Sequence, residues 1–515
     1  MTHEKHTATQ DVTNPSRRNF LKIGGATAVA ASVAGAIGAG FQLGRDPDSY
    51  VGWGRTEEGK DMFFERDSFR VDYPPTFRKV AQIERPEWAS HLFNRTGSFR
   101  NAFNEGWTPD MGLDTFPDER IRIYYRDIPD RFEEMLRAFR ENESRKANIE
   151  RLRDQFAIGW AYDCAHEKAA YGTHDHPIKF PKPPEGPPEV ADYYFVDPSR
   201  KKLDFKSPQH ASELVKTMAH QFGASLVGIT GIHKEFIFKN MMRGVDSWGE
   251  DVPAHWKSIV VIGIPMNWDP MYSAIGYSTS YDAYHKCRLA IGKLQIFLGE
   301  LGYGSRCQVP GNDYEMTIPP LGVLAGLGEA SRNGTLMTPE LGTNVRLAAL
   351  ITDIELEHDK PVDLGMQHFC QDCKICATSC PSGSISLSDK PDTVIRGFKR
   401  YDFNQDSCYR MWQSGPTAMG MGCRACISVC PYTRKNNWIH TIVREADPRD
   451  KTGLTRTALL AMQHNMFYYP EAEAYHGDWN GGHMAGYHQP PEWMRTENFF
   501  NVDKTWQYDG NWEGI

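Results

Sequence analysis

Eight of the chain's eleven cysteines fall between Cys370 and Cys430, and only Cys164, Cys287 and Cys307 lie elsewhere. A secreted protein stapled by disulfides spreads its cysteines and is usually much shorter than 515 residues. The concentration therefore points to metal binding. Cys370-x2-Cys373-x2-Cys376-x3-Cys380-Pro381 is followed by Cys408 and then by Cys423-x2-Cys426-x3-Cys430-Pro431. Three thiolates on one tight loop can reach three irons of a cubane, while the fourth, on the turn that opens a helix, reaches across to a second cluster.

The first run has the spacing of a bacterial ferredoxin. By the two-cluster pattern, Cys370, Cys373, Cys376 and Cys430 hold one [4Fe–4S] cluster, and Cys380, Cys408, Cys423 and Cys426 hold the other. The gap from Cys408 to Cys423 is far wider than the two residues of a ferredoxin, so Cys408 is the least secure of the eight. C-x2-C pairs also form zinc knuckles, but two interleaved C-x3-C-P endings favour iron–sulfur. Two clusters on one chain pass electrons to an acceptor, and the several hundred residues outside this segment must house it.

The N-terminus supports a cofactor independently. Ser16-Arg17-Arg18-Asn19-Phe20-Leu21-Lys22 precedes an uncharged stretch, Ile23 to Phe41, that is rich in Ala and Gly and free of Leu. This matches a twin-arginine export signal. A spanning helix would be richer in Leu, Ile and Phe. The route moves proteins already folded, typically because a cofactor must be inserted before crossing. The net charge of −8 and the lack of a basic stripe give no reason to expect nucleic acid.

The elements that must position this chemistry begin near residue 208. Ser212–Phe222 reads as an amphipathic helix ended by Gly223, and Ser225–Thr230 as a short buried strand. Ser258–Ile264 is β-branched and continuous, as in a strand covered on both faces. A long helix over Tyr281–Leu301 follows, closed by Gly302, with an apolar stripe of Cys287, Ile291, Leu294, Leu298 and Leu301. Val345–Ile354 is another strand candidate. The alternation predicts an α/β (α+β) layered domain. Upstream, a charged helical run lies near Arg131–Gln155, and the proline-rich stretch Pro177–Pro188 reads as a linker or wrapping loop. The expected divisions are a signal at 1–40, an N-terminal wrapping region at 41–207, a catalytic domain at 208–357, a two-cluster ferredoxin-like domain at 358–440 and a closing tail at 441–515.

The combination of signal, Gly326-Leu327-Gly328-Glu329-Ala330-Ser331-Arg332, Thr338-Pro339-Glu340-Leu341-Gly342-Thr343-Asn344-Val345-Arg346 and the two-cluster segment resembles the catalytic subunit of respiratory reductive dehalogenases. The resemblance covers roughly Ser207 to Ile439. It implies a nitroreductase-like cobalamin-binding core and a corrinoid bound base-off, with no protein ligand below the cobalt. The absence of an Asp-x-His-x-x-Gly run is consistent with this. Cobalt in the +1 state is a strong nucleophile and reductant, able to break a carbon–halogen bond while the clusters resupply electrons singly.

The resemblance further implies Tyr284 as the proton donor, Arg346 as its partner and Asn312 as a helper, with Asp313 an alternative at that position. It assigns Gly326, Leu327, Gly328 and Asn344 to cofactor binding. A phenol, with a reference pKa of ~10, becomes a useful acid where a fixed guanidinium stabilises the phenolate. The residues alone allow plainer roles: Tyr284 continues the helix's apolar stripe, Arg346 suits a salt bridge, and Gly326–Gly328 suits a turn. Cys287 and Cys307 suit buried thiols.

The implied activity is removal of halide from a small organohalide, a chlorinated alkene or alkane, in anaerobic respiration. The implied setting is peripheral on the outer face of the cytoplasmic membrane. A small membrane-anchor subunit and an electron donor from the respiratory chain are the implied partners, and pairing with a second copy as a homodimer stays open. Two other readings compete: an epoxyqueuosine-reductase-like enzyme on tRNA, which the signal and acidic charge oppose, and an exported iron–sulfur electron-transfer subunit.

Overall fold

The computed structural model describes residues 66–76, 78–140, 201–238, 255–268, 271, 278–309, 315–380, 382–414, 423–433 and 445–466, with paired strands at 482–483 and 507–508. The export signal, the proline-rich stretch, Asn312 and Asp313 lie outside these residues.

The described chain opens with a strand, β1 (Arg78–Lys79), and a helical unit built on α1 (Leu92–Asn104), α2 (Glu119–Tyr125) and a helical stretch over 129–140. Its core is aromatic: Phe99, Phe116, Phe132 and Trp107 are buried, and the Phe99 and Phe116 rings stand 4.8 Å apart. Aromatic pairs at such offsets add to simple area burial.

Next come α3 (Pro208–Gln221), β2 (Leu226–Gly231), β3 (Ser258–Ile264), α4 (Ser278–Glu300), β4 (Ser305–Gln308) and α5 (Ile318–Leu324). Ser207 caps α3, its hydroxyl accepting from the His210 amide at 3.1 Å, as an N-cap serine should. A two-strand turn, β5 (Glu329–Ala330) and β6 (Leu336–Met337), leads to β7 (Arg346–Thr352). The four long strands form one sheet in the order β2-β3-β7-β4. Its pairing is antiparallel throughout.

This sheet is the middle layer, and both faces are covered. Ile259, Val261, Ala349 and Ile351 pack with Leu321, Val323 and Leu336 on one side. Val260, Ile262, Ala348 and Leu350 pack with Val215 of α3 and with Cys287, Ile291, Leu294 and Leu298 of α4 on the other. The two-residue side-chain period of a strand makes that division automatic. The continuous apolar run at 258–264 is thus explained by two buried faces within an antiparallel sheet.

The cysteine segment follows as α6 (Met366–Cys373), α7 (Ile375–Thr378), β8 (Thr393–Ile395), β9 (Phe398–Arg400), α8 (Gln405–Ser414), α9 (Ala425–Ser428) and α10 (Leu454–Met466). β8 and β9 form a hairpin joined to β1. Only Arg396 (φ +48°) and Gly397 (φ +88°) separate the two strands. Two positive-φ residues are what a tight two-residue hairpin demands, and arginine rarely takes that conformation.

Candidate active site

The long helix α4 and the edge of β7 meet at a cavity of about 510 Å³. Tyr284, from the first turns of α4, and Arg346, the first residue of β7, both line it. The Arg346 guanidinium carbon lies 5.5 Å from the Tyr284 ring centroid. Arg346 Nη2 donates to Ser280 Oγ at 2.8 Å, while its buried Nε has no hydrogen-bond partner. A fixed cation with an unsatisfied N–H at a cavity wall is suited to an anion. Tyr284 is half-buried, and it is Tyr281 that enters the protein interior at 5% exposure.

The remaining walls come from three units. Phe236, Phe238, Met316 and Ile318 supply apolar surface, and His91 arrives from the helical unit. The β8–β9 hairpin contributes Arg396, Phe398 and Arg400, with Tyr401 beyond it. Burial, and then the facing Arg400 guanidinium, brings Arg396 down to about 10, and its Nη1 is buried without a partner. Sequence reading missed both arginines, because a hairpin this short has no periodicity to recognise. The positive-φ turn, invisible without coordinates, is what delivers them.

The predicted cofactor-binding residues are placed differently. Gly326, Leu327, Gly328 and Asn344 do not line this cavity. Gly326 has φ +69°, and a Cβ there would stand 2.3 Å from the Lys360 carbonyl. A Cβ on Gly328 would stand 2.0 Å from the Met337 carbonyl. The backbone that presses on these glycines is the protein's own, so the turn is closed by packing. Leu327 is 3% exposed within the core. Asn344, fully buried, spends its amide on Met266, accepting from the backbone N–H at 3.3 Å and donating to the carbonyl at 3.1 Å. Asn312 falls outside the described residues.

Beyond the turn lies a second, small cavity, lined by Cys370, Cys373, Cys376 and Cys430 together with Arg332, Lys374 and Phe369. These four cysteines are the set that the interleaved spacing assigns to one cluster. Lys374 has φ +52°, which breaks α6 from α7 and turns Cys376 toward the same space as Cys370 and Cys373. Burial pushes the Cys370 thiol up to about 12, and burial with the surrounding thiols drives Cys376 further. Thiols so placed are protonated unless a metal takes the proton's place.

The other four cysteines also draw together. Cys426 is raised by burial and then by the charges of Cys423 and Cys380. Cys380 Sγ accepts from the Ser384 amide at 3.4 Å, and Ser384 Oγ bonds Ser407 Oγ at 2.7 Å, one residue from Cys408. Cys408 itself lines the large cavity. The helices of the two C-x3-C-P endings, α7 and α9, pack on one another. Cys287, by contrast, is a fully buried thiol on the sheet-facing side of α4, pushed up to about 12 by burial.

Residues 369–434 match the model of the 4Fe-4S dicluster domain, and residues 14–34 match that of the twin-arginine translocation pathway signal sequence. The tetrachloroethene reductive dehalogenase of Sulfurospirillum multivorans is 30% identical over 281 residues, covering 47% of this chain and 54% of that one. The solved structure of the catabolic reductive dehalogenase NpRdhA superposes with a TM-score of 0.54 at 20% identity, covering 82% of this chain and 52% of that one. A reductive dehalogenase whose structure is described as suggesting a mechanism for B12-dependent dehalogenation gives 0.50 at 21%, over 77% and 49%.

Over about half its length the chain is similar to reductive dehalogenases.

The structural likeness shows the fold, and the chain spans about half the length of the curated relative. The epoxyqueuosine reductase of Listeria monocytogenes is 30% identical over 161 residues, 30% of this chain and 40% of that one, a narrower overlap. The twin-arginine signal marks the chain for export, and the dicluster domain is an iron–sulfur module.

Proposed function

We propose that this chain removes halide from a small organohalide, a chlorinated alkene or alkane, as the catalytic subunit of a respiratory reductive dehalogenase. The exchange R–X + 2e⁻ + H⁺ → R–H + X⁻ needs an electron source, a proton donor and a place for the departing anion. The observation that carries the reading is that the Tyr284 phenol, the Arg346 guanidinium and Cys408 line one cavity. Its described walls combine apolar side chains with three arginines, His91 and several hydroxyls, which suits a large organic cofactor bearing polar groups beside a neutral organohalide. A corrinoid fits this lining, with Phe236, Phe238, Met316 and Ile318 as the residues to hold it, and would supply low-valent cobalt that reduces carbon–halogen bonds.

Tyr284 then delivers the proton to the carbon that loses halide, and Arg346 stabilises the phenolate left behind. The free Arg346 Nε is positioned to take the halide. Cys370, Cys373, Cys376 and Cys430 would hold one cluster and Cys380, Cys408, Cys423 and Cys426 the other, and these would supply electrons singly; Cys408 borders the cavity. The catalytic unit is 208–357 and the cluster unit 358–440. The exported enzyme works on the outer face of the cytoplasmic membrane, held by a small anchor subunit and fed by the respiratory chain.

The test is halide release from chlorinated ethenes by corrinoid-loaded holoenzyme with reduced viologen. Tyr284→Phe is expected to lower turnover by about 10²-fold or more, the usual worth of a general acid, with iron and cobalt contents unchanged. Full turnover by that variant would remove Tyr284 from the acid role. Active enzyme free of cobalt would overturn the reading itself.

A further inference from the structure

The turn from Ser331 to Thr335 lies where both cavities meet. Ser331 lines the large cavity and the small one, and Arg332 and Asn333 line the small one. Arg332 is 1% exposed. Its fork is spent on backbone carbonyls: Nε and Nη2 donate to Cys370 O at 3.1 and 2.8 Å, and Nη1 to Ser386 O and Ser388 O at 2.7 Å each. Its outer face covers the Tyr401 ring at 4.2 Å. Among the described residues no carboxylate pairs with it.

That leaves a buried guanidinium with no salt-bridge partner among the described residues; the exposed Asp389, paired with Lys374, feels its charge only from a distance. Uncompensated charge in a protein interior is costly. The compensation available is on the other side of Cys370. Four thiolates carry more negative charge than the net positive charge of a [4Fe–4S] core, so the loaded cavity would be an anion.

We propose that Arg332 is a positioning residue and the built-in counter-ion for the cluster of Cys370, Cys373, Cys376 and Cys430, an inference that rests on the cluster reading above. The same turn secures the other end of the ligand helix. Glu329, fully buried, accepts from the backbone N–H groups of Leu364 and Gln367, ahead of and within the first turn of α6. Residues three apart thus grip both ends of α6, the Glu329 side chain taking up N–H groups at its start and Arg332 a carbonyl near its end. Reduction adds one negative charge to the cluster, so a fixed cation stabilises the reduced form more than the oxidised and raises its potential.

The experiment is an EPR-monitored redox titration of holoenzyme carrying Arg332→Gln or Arg332→Lys, with iron content as the loading control. The glutamine amide can still donate to Cys370 O but lacks the charge, while lysine keeps the charge and loses the fork. Arg332→Gln should retain about eight irons per chain and shift one of the two cluster potentials downward, leaving the other in place. Arg332→Lys should hold that potential near the native value. Loss of iron in Arg332→Gln with retention in Arg332→Lys would also support the proposal, since charge alone separates the two. Unmoved potentials, equal shifts of both clusters, matching shifts in the two variants, or iron loss in both would overturn it. A native enzyme without two cluster signals would fail the cluster reading instead.

Discussion

Replacing Arg95 with methionine should loosen the helical unit by roughly 3–5 kcal/mol, the cost of stripping one partner from a buried ion pair. Arg95 and Asp406 are both fully buried and 2.8 Å apart. Arg95 also donates to Tyr125 Oη at 3.0 Å and to Ala89 O at 2.8 Å. Burial alone would lower its pKa, but Tyr125 and Asp406 more than offset that and hold it above the ordinary value. Without Arg95, Asp406 keeps one strong donor, the Tyr125 hydroxyl at 2.9 Å. The readout is native-state hydrogen exchange across α1, α2 and α8, where amides should exchange on the order of 10²- to 10³-fold faster. Arg95→Met/Asp406→Leu should recover much of the loss, because an apolar pair replaces a buried ionic one at little cost. A penalty under about 1 kcal/mol for Arg95→Met, or a double variant no more stable than the single, would show that the pair is solvated and the reasoning wrong.

Two further outcomes are expected. Glu329 is raised from 4.5 to about 8, chiefly by burial, against the backbone N–H groups it accepts. A raised carboxyl contributes stability that is full below pH 4.5 and lost as pH climbs toward 8, at up to about 1.4 kcal/mol per pH unit. Thermal unfolding of Glu329→Gln should therefore flatten against pH over that window relative to the parent, and identical slopes would refute it. Cys408→Ala should lower bound iron from about eight toward about four per chain and abolish one EPR signal; full iron would show that another group completes that cluster.

Much of this molecule was legible because local rules governed it. The run at 258–264 became β3 without a change of boundary, and the stripe Cys287, Ile291, Leu294, Leu298 was buried as a helical period demands. The thiol spacing put Cys430, some fifty residues away in sequence, beside Cys370, Cys373 and Cys376 around one cavity. Tyr284 and Arg346 were found through family resemblance, since on pattern alone the tyrosine belonged to the apolar stripe. What failed to read was tertiary. Gly326 and Gly328, given to cofactor binding by the resemblance, pack in the fold against the carbonyls of Lys360 and Met337, a closeness that no local pattern announces. Antiparallel pairing left no mark on strands buried on both faces. Arg332 looked like one more motif residue until the carbonyls of Ser386 and Ser388, more than fifty positions on, closed around it.

The displaced Cys408 is the point where these observations join. In a compact ferredoxin run, neighbouring ligands position one another through their shared loop. Cys408 has no such neighbour, so its helix has to be held from outside. The helical unit does this with charge: Asp406 by Arg95, Arg410 by Glu134 at 3.0 Å, and Asp402 just upstream by Arg131 at 3.0 Å. Only Arg95–Asp406 is fully buried, and such a pair is a poor source of net stability but enforces one geometry, because a misplaced arrangement leaves a buried charge unpaired. The wide gap before Cys423 thus exchanges local order for tertiary order. In return the cysteine stands in the wall of the large cavity, where the proposed function has electrons arrive. The region of the sequence that said least about chemistry is therefore the one that holds Cys408 at that wall.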